Sequence, residues 1–277
     1  MCRVIQETSK RHLFKGKTIG FVPTMGALHE GHQSLIKRAK SENDIIVVSI
    51  FVNPLQFGPE EDFHSYPRDT EKDMEMLRSL GVDILFAPDD KNLFPDGFAV
   101  HINVEGLAER LCGAFRPGHF SGVVTVVCKL FNIVKPTRAY FGQKDFQQTV
   151  VINRLVEDLN MDLEVVTCPT VRDIDGLAMS SRNTYLSAGE RAAATVLYKA
   201  LSVASQMINS GGHSPGEVKN KLSALLRAEP LVSDIQYAGV YDPKTLVELD
   251  EFKQQNLVAS AIKVGGTRLI DNVLVNK

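Results

Sequence analysis

The sequence holds no tryptophan, and all aromatic residues together make up 7% of it. Proteins that grip single strands by base stacking lean on such rings, so that function class is disfavoured. No charge of one sign dominates. The 31 basic residues stand against 33 acidic ones, a net charge of −2, which excludes a polycation that binds nucleic acid along its whole length. Long hydrophobic runs are missing too. The longest apolar stretches, such as Ile45–Val52, fall far short of the about 20 residues that a membrane-spanning helix needs. The N-terminal MCRVIQETSKRHLFKGK is polar and basic. It lacks an apolar core segment, so no secretory signal is expected. Cysteine is scarce: Cys2, Cys112, Cys128 and Cys168 form no C-x-x-C pair and show no zinc-finger spacing. They read as reduced, packed thiols of a cytoplasmic protein. Neither a Walker A sequence nor G-x-G-x-x-G occurs, so a phosphate site must be built from other parts.

What is present is ordinary for a folded protein: 44% apolar and 23% charged residues in 277. At about 150 residues per domain the length suggests two domains. Lys17–Pro23 reads as a short buried strand. A turn, MGALHEGH, follows, and then Leu28, Leu35, Ile36 and Ala39 fall on one helical face. Asp44–Val52 is a continuous Ile/Val-rich run, as expected of a strand buried on both faces of a parallel sheet. A helix over Thr70–Leu80, a strand over Val82–Ala87, a helix over Gly122–Val134, a strand over Arg138–Phe141, a helix over Asp145–Leu159 and a strand over Leu163–Thr167 complete the alternation. Repeated β-α units predict a Rossmann-like parallel sheet with flanking helices in residues 1–169. Beyond Pro169 the pattern changes. A capping box at Ser187/Glu190 opens a long helix, and Ser214, Pro215 and Glu217 mark a second helix start with Pro at its first position. A Gly265-Gly266 turn joins Leu257–Lys263 to Arg268–Val275 as a two-stranded hairpin. Residues 170–277 are therefore expected to form a smaller α+β domain that closes over the site.

Five segments carry candidate chemistry. His29-Glu30-Gly31-His32 opens the first helix, where free N–H groups and the positive dipole end suit phosphate. The two imidazoles share one face and add donors, and Gly31 leaves room for a flat ring. The i, i+3 spacing does not fit a zinc protease. Gly142-Gln143-Lys144-Asp145 ends a strand and places Lys144 at the carboxyl edge of the sheet, where ligands of such sheets bind. Asp145 also reads as a plain helix cap. Met179-Ser180-Ser181-Arg182-Asn183 offers hydroxyls and a guanidinium for polyphosphate, or is an ordinary polar linker. Asn53 and Gln56 are uncharged amides at the ligand edge, or parts of an Asn-Pro turn. Gln147 and Gln148 offer more amides, or one exposed face. Arg116 and His119 lie in a turn as two potentially cationic groups. Asp73 is a possible Mg²⁺ contact, but Thr70-x-x-Asp73 reads better as a helix cap.

In this order and at these distances, FVPTMGALHEGH, FVNPLQF, YPRD, RPGHFSGV, FGQKDFQQ and MSSRN resemble the pantothenate synthetases, or pantoate–β-alanine ligases, over essentially the whole chain. The His-x-Gly-His segment alone marks a wider nucleotidyltransferase superfamily. The combination with NPLQF and RPGHF is far more specific. Gln143 departs from the acidic residue expected there in many relatives. The resemblance implies a two-step synthesis. Pantoate carboxylate attacks the α-phosphate of ATP to give pantoyl adenylate and pyrophosphate, and the amine of β-alanine then displaces AMP. It implies His32, His29 and Lys144 as catalytic groups. Met25, Gly26, Ala27, Leu28, His29, Glu30, Gly31 and His32 would line the ATP site, completed by Gly142, Gln143, Lys144, Asp145, Val171, Met179, Ser180, Ser181 and Arg182. Gln56 and Gln148 would hold pantoate, with Asn53, Tyr66, Arg116 and His119 as further substrate contacts. Mg²⁺ would arrive on ATP with few protein ligands. The chain would be a homodimer, with neither nucleic acid nor membrane as partner. Two rival readings are a nucleotidyltransferase with another acceptor, such as a tRNA enzyme, and a non-catalytic nucleotide sensor. The balanced net charge disfavours the first. The joint presence of His29, His32, Lys144 and Arg182 disfavours the second.

Overall fold

The computed structural model describes residues 3–5, by backbone alone, and 16–277. Cys2 and most of the basic N-terminal stretch lie outside the described residues. Strands β1 (Arg3–Ile5), β2 (Ile19–Thr24), β3 (Ile45–Ile50), β4 (Ile84–Phe86), β5 (Arg138–Gly142) and β6 (Glu164–Cys168) form one parallel sheet in the order β1-β4-β3-β2-β5-β6. The helices between them are α1 (Glu30–Glu42), α2 (Thr70–Ser79), the short α3 (Asp90–Leu93) and α4 (Cys112–Phe115), α5 (His119–Val134) and α6 (Phe146–Asp158).

The apolar runs seen in the sequence follow from burial on two faces. Phe21, Val47, Ile84 and Ala139 point to one side, where α5 supplies Val123, Val127, Leu130 and Phe131, and α6 supplies Ile152 and Leu155. Their chain neighbours Val22, Val48, Leu85 and Tyr140 point to the other, against Leu35, Ile36 and Ala39 of α1 and Leu77 of α2. Right-handed crossovers require this split. Winding one way from β2 to β4 puts α1 and α2 on one face. Winding back from β5 to β6 puts α6 on the other.

The remainder is a smaller α+β unit. Helices α7 (Ala188–Ala193), α8 (Val196–Ser210) and α9 (Pro215–Arg227) precede an antiparallel sheet β7-β8-β9, formed by Val232–Tyr241, Gln255–Val264 and Thr267–Asn276. The capping box at Ser187/Glu190 is present, and Ser214 and Glu217 form another at the start of α9. The single long helix expected after Ser187 is broken at Ala194-Thr195 into α7 and α8. The expected two-stranded hairpin is a three-stranded sheet. Its strand β8 is buried throughout its middle. One face meets α8 and α9 through Val258 and Ile262, and the other meets Phe146 and Val150 of α6 through Leu257 and Ala259. No helix among the described residues is long and apolar enough to cross a membrane.

One close approach positions the site. A Cβ added to Gly122 on α5 would lie 2.1 Å from the carbonyl oxygen of Leu55, in the 3-10 turn Pro54–Gln56. Only a glycine lets backbone meet backbone there. Gly122→Ala should lower stability by about 1–3 kcal/mol or more, as overpacking against rigid backbone does. Gly142, whose added Cβ would meet nothing within 4 Å, should tolerate alanine within about 0.5 kcal/mol. Urea unfolding midpoints of the two variants provide the comparison.

Candidate active site at the sheet switch point

The winding direction reverses between β2 and β5, which pair directly. Strands diverge from the neighbouring crossovers at such a point and leave a crevice beyond their carboxyl ends. A cleft opens there, and Met25, His29, Gly31, His32, Gln56, Lys144, Gln148 and Arg182 all line it. Asn53, Tyr66, Arg116, His119, Gly142, Asp145, Val171, Met179, Ser180 and Ser181 line it too. Gly26, Ala27, Leu28, Glu30 and Gln143 are not on its wall. Leu28 is buried in the core, and Glu30 is exposed on the surface.

The turn from β2 into α1 is held by a residue that the sequence reading assigned elsewhere. Gly26 and Ala27 have φ of 88° and 50°, the left-handed region that a side chain such as alanine's disfavours. The backbone N–H groups of Ala27 and Leu28 donate to the two carboxylate oxygens of Asp73 at 3.0 and 2.7 Å. Asp73 is therefore not the cap of α2. That role belongs to Asp69, which accepts from the N–H of Lys72. Both oxygens of Asp73 face backbone donors, and burial pushes its carboxyl up from the usual range. No group of three candidate metal ligands occurs among the described residues.

His29 is the N-cap of α1: its Nδ1 accepts from the N–H of Gly31 at 3.1 Å. His32 Nδ1 accepts from the N–H of His29 at 3.2 Å. An imidazole nitrogen that accepts carries no proton, so both rings hold theirs on Nε2. The ring centroids are 4.1 Å apart. Burial, followed by the charge of Lys144, pushes His29 down to about 4. Burial, followed by His29 and Lys144, pushes His32 down to about 3. The pair supplies neutral donors rather than cations. The space beside Gly31 is filled by the protein's own ring, since an added Cβ would lie 2.8 Å from His29 Cε1.

Lys144 sits in the 3-10 turn Gln143–Asp145 after β5. Its Nζ reaches Asp145 Oδ1 only at 3.9 Å. Asp145 occupies the N-cap position of α6 but makes no capping bond through its side chain. Gln148 lies on the cleft wall. Gln147 is buried and carries no free amide, because it accepts from the N–H of Cys112 and donates to the carbonyls of Leu107 and Arg110.

Asn53 is structural in its contacts. It is 1% exposed, and its Nδ2 donates to Gln56 Oε1 and to the Gly122 carbonyl, both at 3.1 Å. Gln56 Nε2 meets Met25 Sδ at 2.9 Å. Arg116 is paired with both oxygens of Glu61 at 2.6 Å. His119 Nδ1 donates to the Gln56 carbonyl at 2.7 Å and its Nε2 accepts from Arg116 at 3.0 Å. Burial and Arg116 push His119 down to about 4, so this turn holds one cation, already paired. Arg182 likewise meets Asp62 with two bonds of 2.9 and 2.8 Å, and its guanidinium lies over Tyr66. Ser181 Oγ donates to the Ala27 carbonyl and so ties the later segment to the first turn. Glu61 and Asp62 escaped the sequence reading because a short acidic loop has no periodicity that would mark its partners.

These assignments predict a titration pattern. A depressed histidine pKa means that the unfolded chain takes up protons first as pH falls. Stability contributed by His29, His32 and His119 is therefore full above about 6.5 and is lost as pH drops toward about 4. In ¹⁵N spectra at pH 5.5 all three rings should still be neutral. His29 and His32 should be protonated at Nε2, and His119 at Nδ1. Imidazolium signals from His29 or His32 at that pH would contradict the donor assignment.

Residues 2–274 match the family model described as pantoate-beta-alanine ligase. Pantothenate synthetase of Thermodesulfovibrio yellowstonii is 60% identical over 273 residues, covering 99% of this chain and 97% of the relative. That of Fervidobacterium nodosum is 52% identical, covering 98% and 96%. The crystal structure of the Thermus thermophilus enzyme superposes with a TM-score of 0.95 at 47% identity, covering 98% of each chain. The Francisella tularensis ligase, solved in complex with beta-gamma ATP and beta-alanine, gives 0.80 at 37% identity over 99% and 98%. A match of this extent in both sequence and fold leaves one conclusion: the chain belongs to the pantoate–β-alanine ligase family.

Proposed function

We propose that the chain joins pantoate to β-alanine with ATP in two steps at the β2/β5 cleft. The observation that carries this reading is a neutral imidazole pair lining the same cleft as Lys144, whose charge acts on both rings. The Nε2–H groups of His29 and His32 donate to phosphoryl oxygens, and Lys144 supplies the positive charge. Charge shifts onto those oxygens as the pantoate carboxylate attacks the α-phosphorus and pyrophosphate leaves, so donors fixed beforehand lower the barrier. The amine of β-alanine then attacks the acyl carbon of the adenylate, AMP leaves with the bonding electron pair, and the amine proton passes to solvent. The ligands of the Francisella tularensis complex, beta-gamma ATP and beta-alanine, support the same pair of substrates here.

Gln56 and Gln148 hold pantoate in this reading. The nearest acceptor for Gln56 Nε2 is the thioether of Met25, a weak acceptor that a substrate oxygen betters. Magnesium enters as MgATP. Residues 1–169 form the nucleotide- and pantoate-binding domain and 170–277 close over it, in keeping with the contacts of Ser181 and Arg182. The enzyme works in the cytoplasm as a homodimer, a reading that rests on the family resemblance.

Two predictions follow from the division of labour. With ATP, Mg²⁺ and pantoate but no β-alanine, labelled pyrophosphate should exchange into ATP. Exchange that needs β-alanine would overturn the stepwise scheme. Lys144→Ala should slow exchange by about a hundredfold or more, the usual loss when a fixed transition-state charge contact is removed. Alanine at Lys37, exposed on α1, should leave the rate within about twofold, in line with a surface change far from the chemistry.

Gln56→Ala and Gln148→Ala should weaken pantoate and leave ATP affinity within about threefold, because sites built on hydrogen bonds discriminate through them. Calorimetry with each ligand gives the readout. Lost ATP affinity with unchanged pantoate binding would reverse the two subsites.

A further inference from the structure

We propose that Asn272, on β9 of the C-terminal sheet, is a positioning residue for Lys144. The proposal rests on the reading of Lys144 as the cation that meets the phosphates. Asn272 is 4% exposed. Its Nδ2 donates to the carbonyl of Gln143 at 3.0 Å and to the carbonyl of Lys144 at 3.0 Å. Those two carbonyls belong to the two peptide planes that flank the Lys144 Cα. Peptide planes are rigid, so one amide that grips both fixes φ and ψ of Lys144, and with them the direction of its Cα–Cβ bond. The side chain has little else to orient it, since its ion pair to Asp145 spans 3.9 Å. A flexible lysine reaches a productive geometry more often when its root is fixed.

Asn272 is itself held. Its N–H donates to Asp271 Oδ1 at 2.8 Å. Asp271 takes both arms of the Arg172 guanidinium at 2.5 and 2.9 Å, and Arg172 stacks on Tyr198 of α8 at 4.0 Å. Gln143 Nε2 reaches back to Asn272 Oδ1 at 3.5 Å, which gives Gln143 a partner off the cleft wall. A helix of the C-terminal unit is thus linked, through buried polar groups, to the root of Lys144.

The test is a double-mutant cycle read by pyrophosphate exchange. Asn272→Asp keeps the shape but removes the donors; Asn272→Ala removes the amide. Each is made in the parent and in Lys144→Ala, with circular dichroism melts to identify folded variants. In the parent, either should lower kcat for exchange by about tenfold and leave KM for pantoate within about twofold. In Lys144→Ala, either should cost less than about twofold more, because residues acting through one group are not additive. Parent-like exchange in both variants, or losses that multiply in the double variants, would overturn the proposal. So would failure of both to fold, which would make Asn272 a stability residue. Lys144→Ala with the parent's rate would instead overturn the reading of Lys144 itself.

Discussion

Everything in the cleft depends on the reversal of winding between β2 and β5. Two neighbouring strands send their chains to opposite faces, and no crossover covers the gap between their carboxyl ends. The turn 25–28 and the turn 142–145 face one another there, although three crossovers and the strands β3 and β4 separate them in the chain. The imidazole pair and Lys144 are neighbours for this topological reason. Packing then refines the placement. The approach of α5 at Gly122 brings the Asn53–Gln56 turn onto the same edge.

Burial gives the site its electrical character. A sequence rich in histidine, lysine and arginine at one edge suggests a cationic bowl. The folded cleft is more selective. Its three histidines are uncharged at neutral pH, and Arg116 and Arg182 each carry a carboxylate partner. Hydrogen-bond direction, rather than gross charge, orients a ligand in such a setting, since neutral donors fixed by backbone contacts need no reorganisation when charge appears.

The alternating sheet was legible because strands buried on both faces read as unbroken Ile/Val runs, as in Ile45–Ile50. Strand β7 was not. Its register shifts between Val232 and Asp234 and again between Ile235 and Tyr237, so the period of two is broken, and β1 has only three residues. The same division runs through the site. Residue types at the ends of strands, such as His29, His32 and Lys144, stand out locally. Their supports do not, because Asp73 lies 45 residues from Leu28, Asp62 lies 120 from Arg182, and Asn272 lies 128 from Lys144. Asp73 fits a capping pattern as well as Asp69 does. Only the fold shows that its oxygens turn toward Ala27 and Leu28.

The Arg182–Asp62 contact gives the cleft an exchange character. Any anion that arrives at this guanidinium meets a position already filled by a two-pronged carboxylate, so association swaps one partner for another instead of satisfying a bare charge. The net gain is then the difference between two pairings of similar kind. An anion that met only this guanidinium would therefore gain little over Asp62, whereas one that met several donors of the cleft at once would gain more.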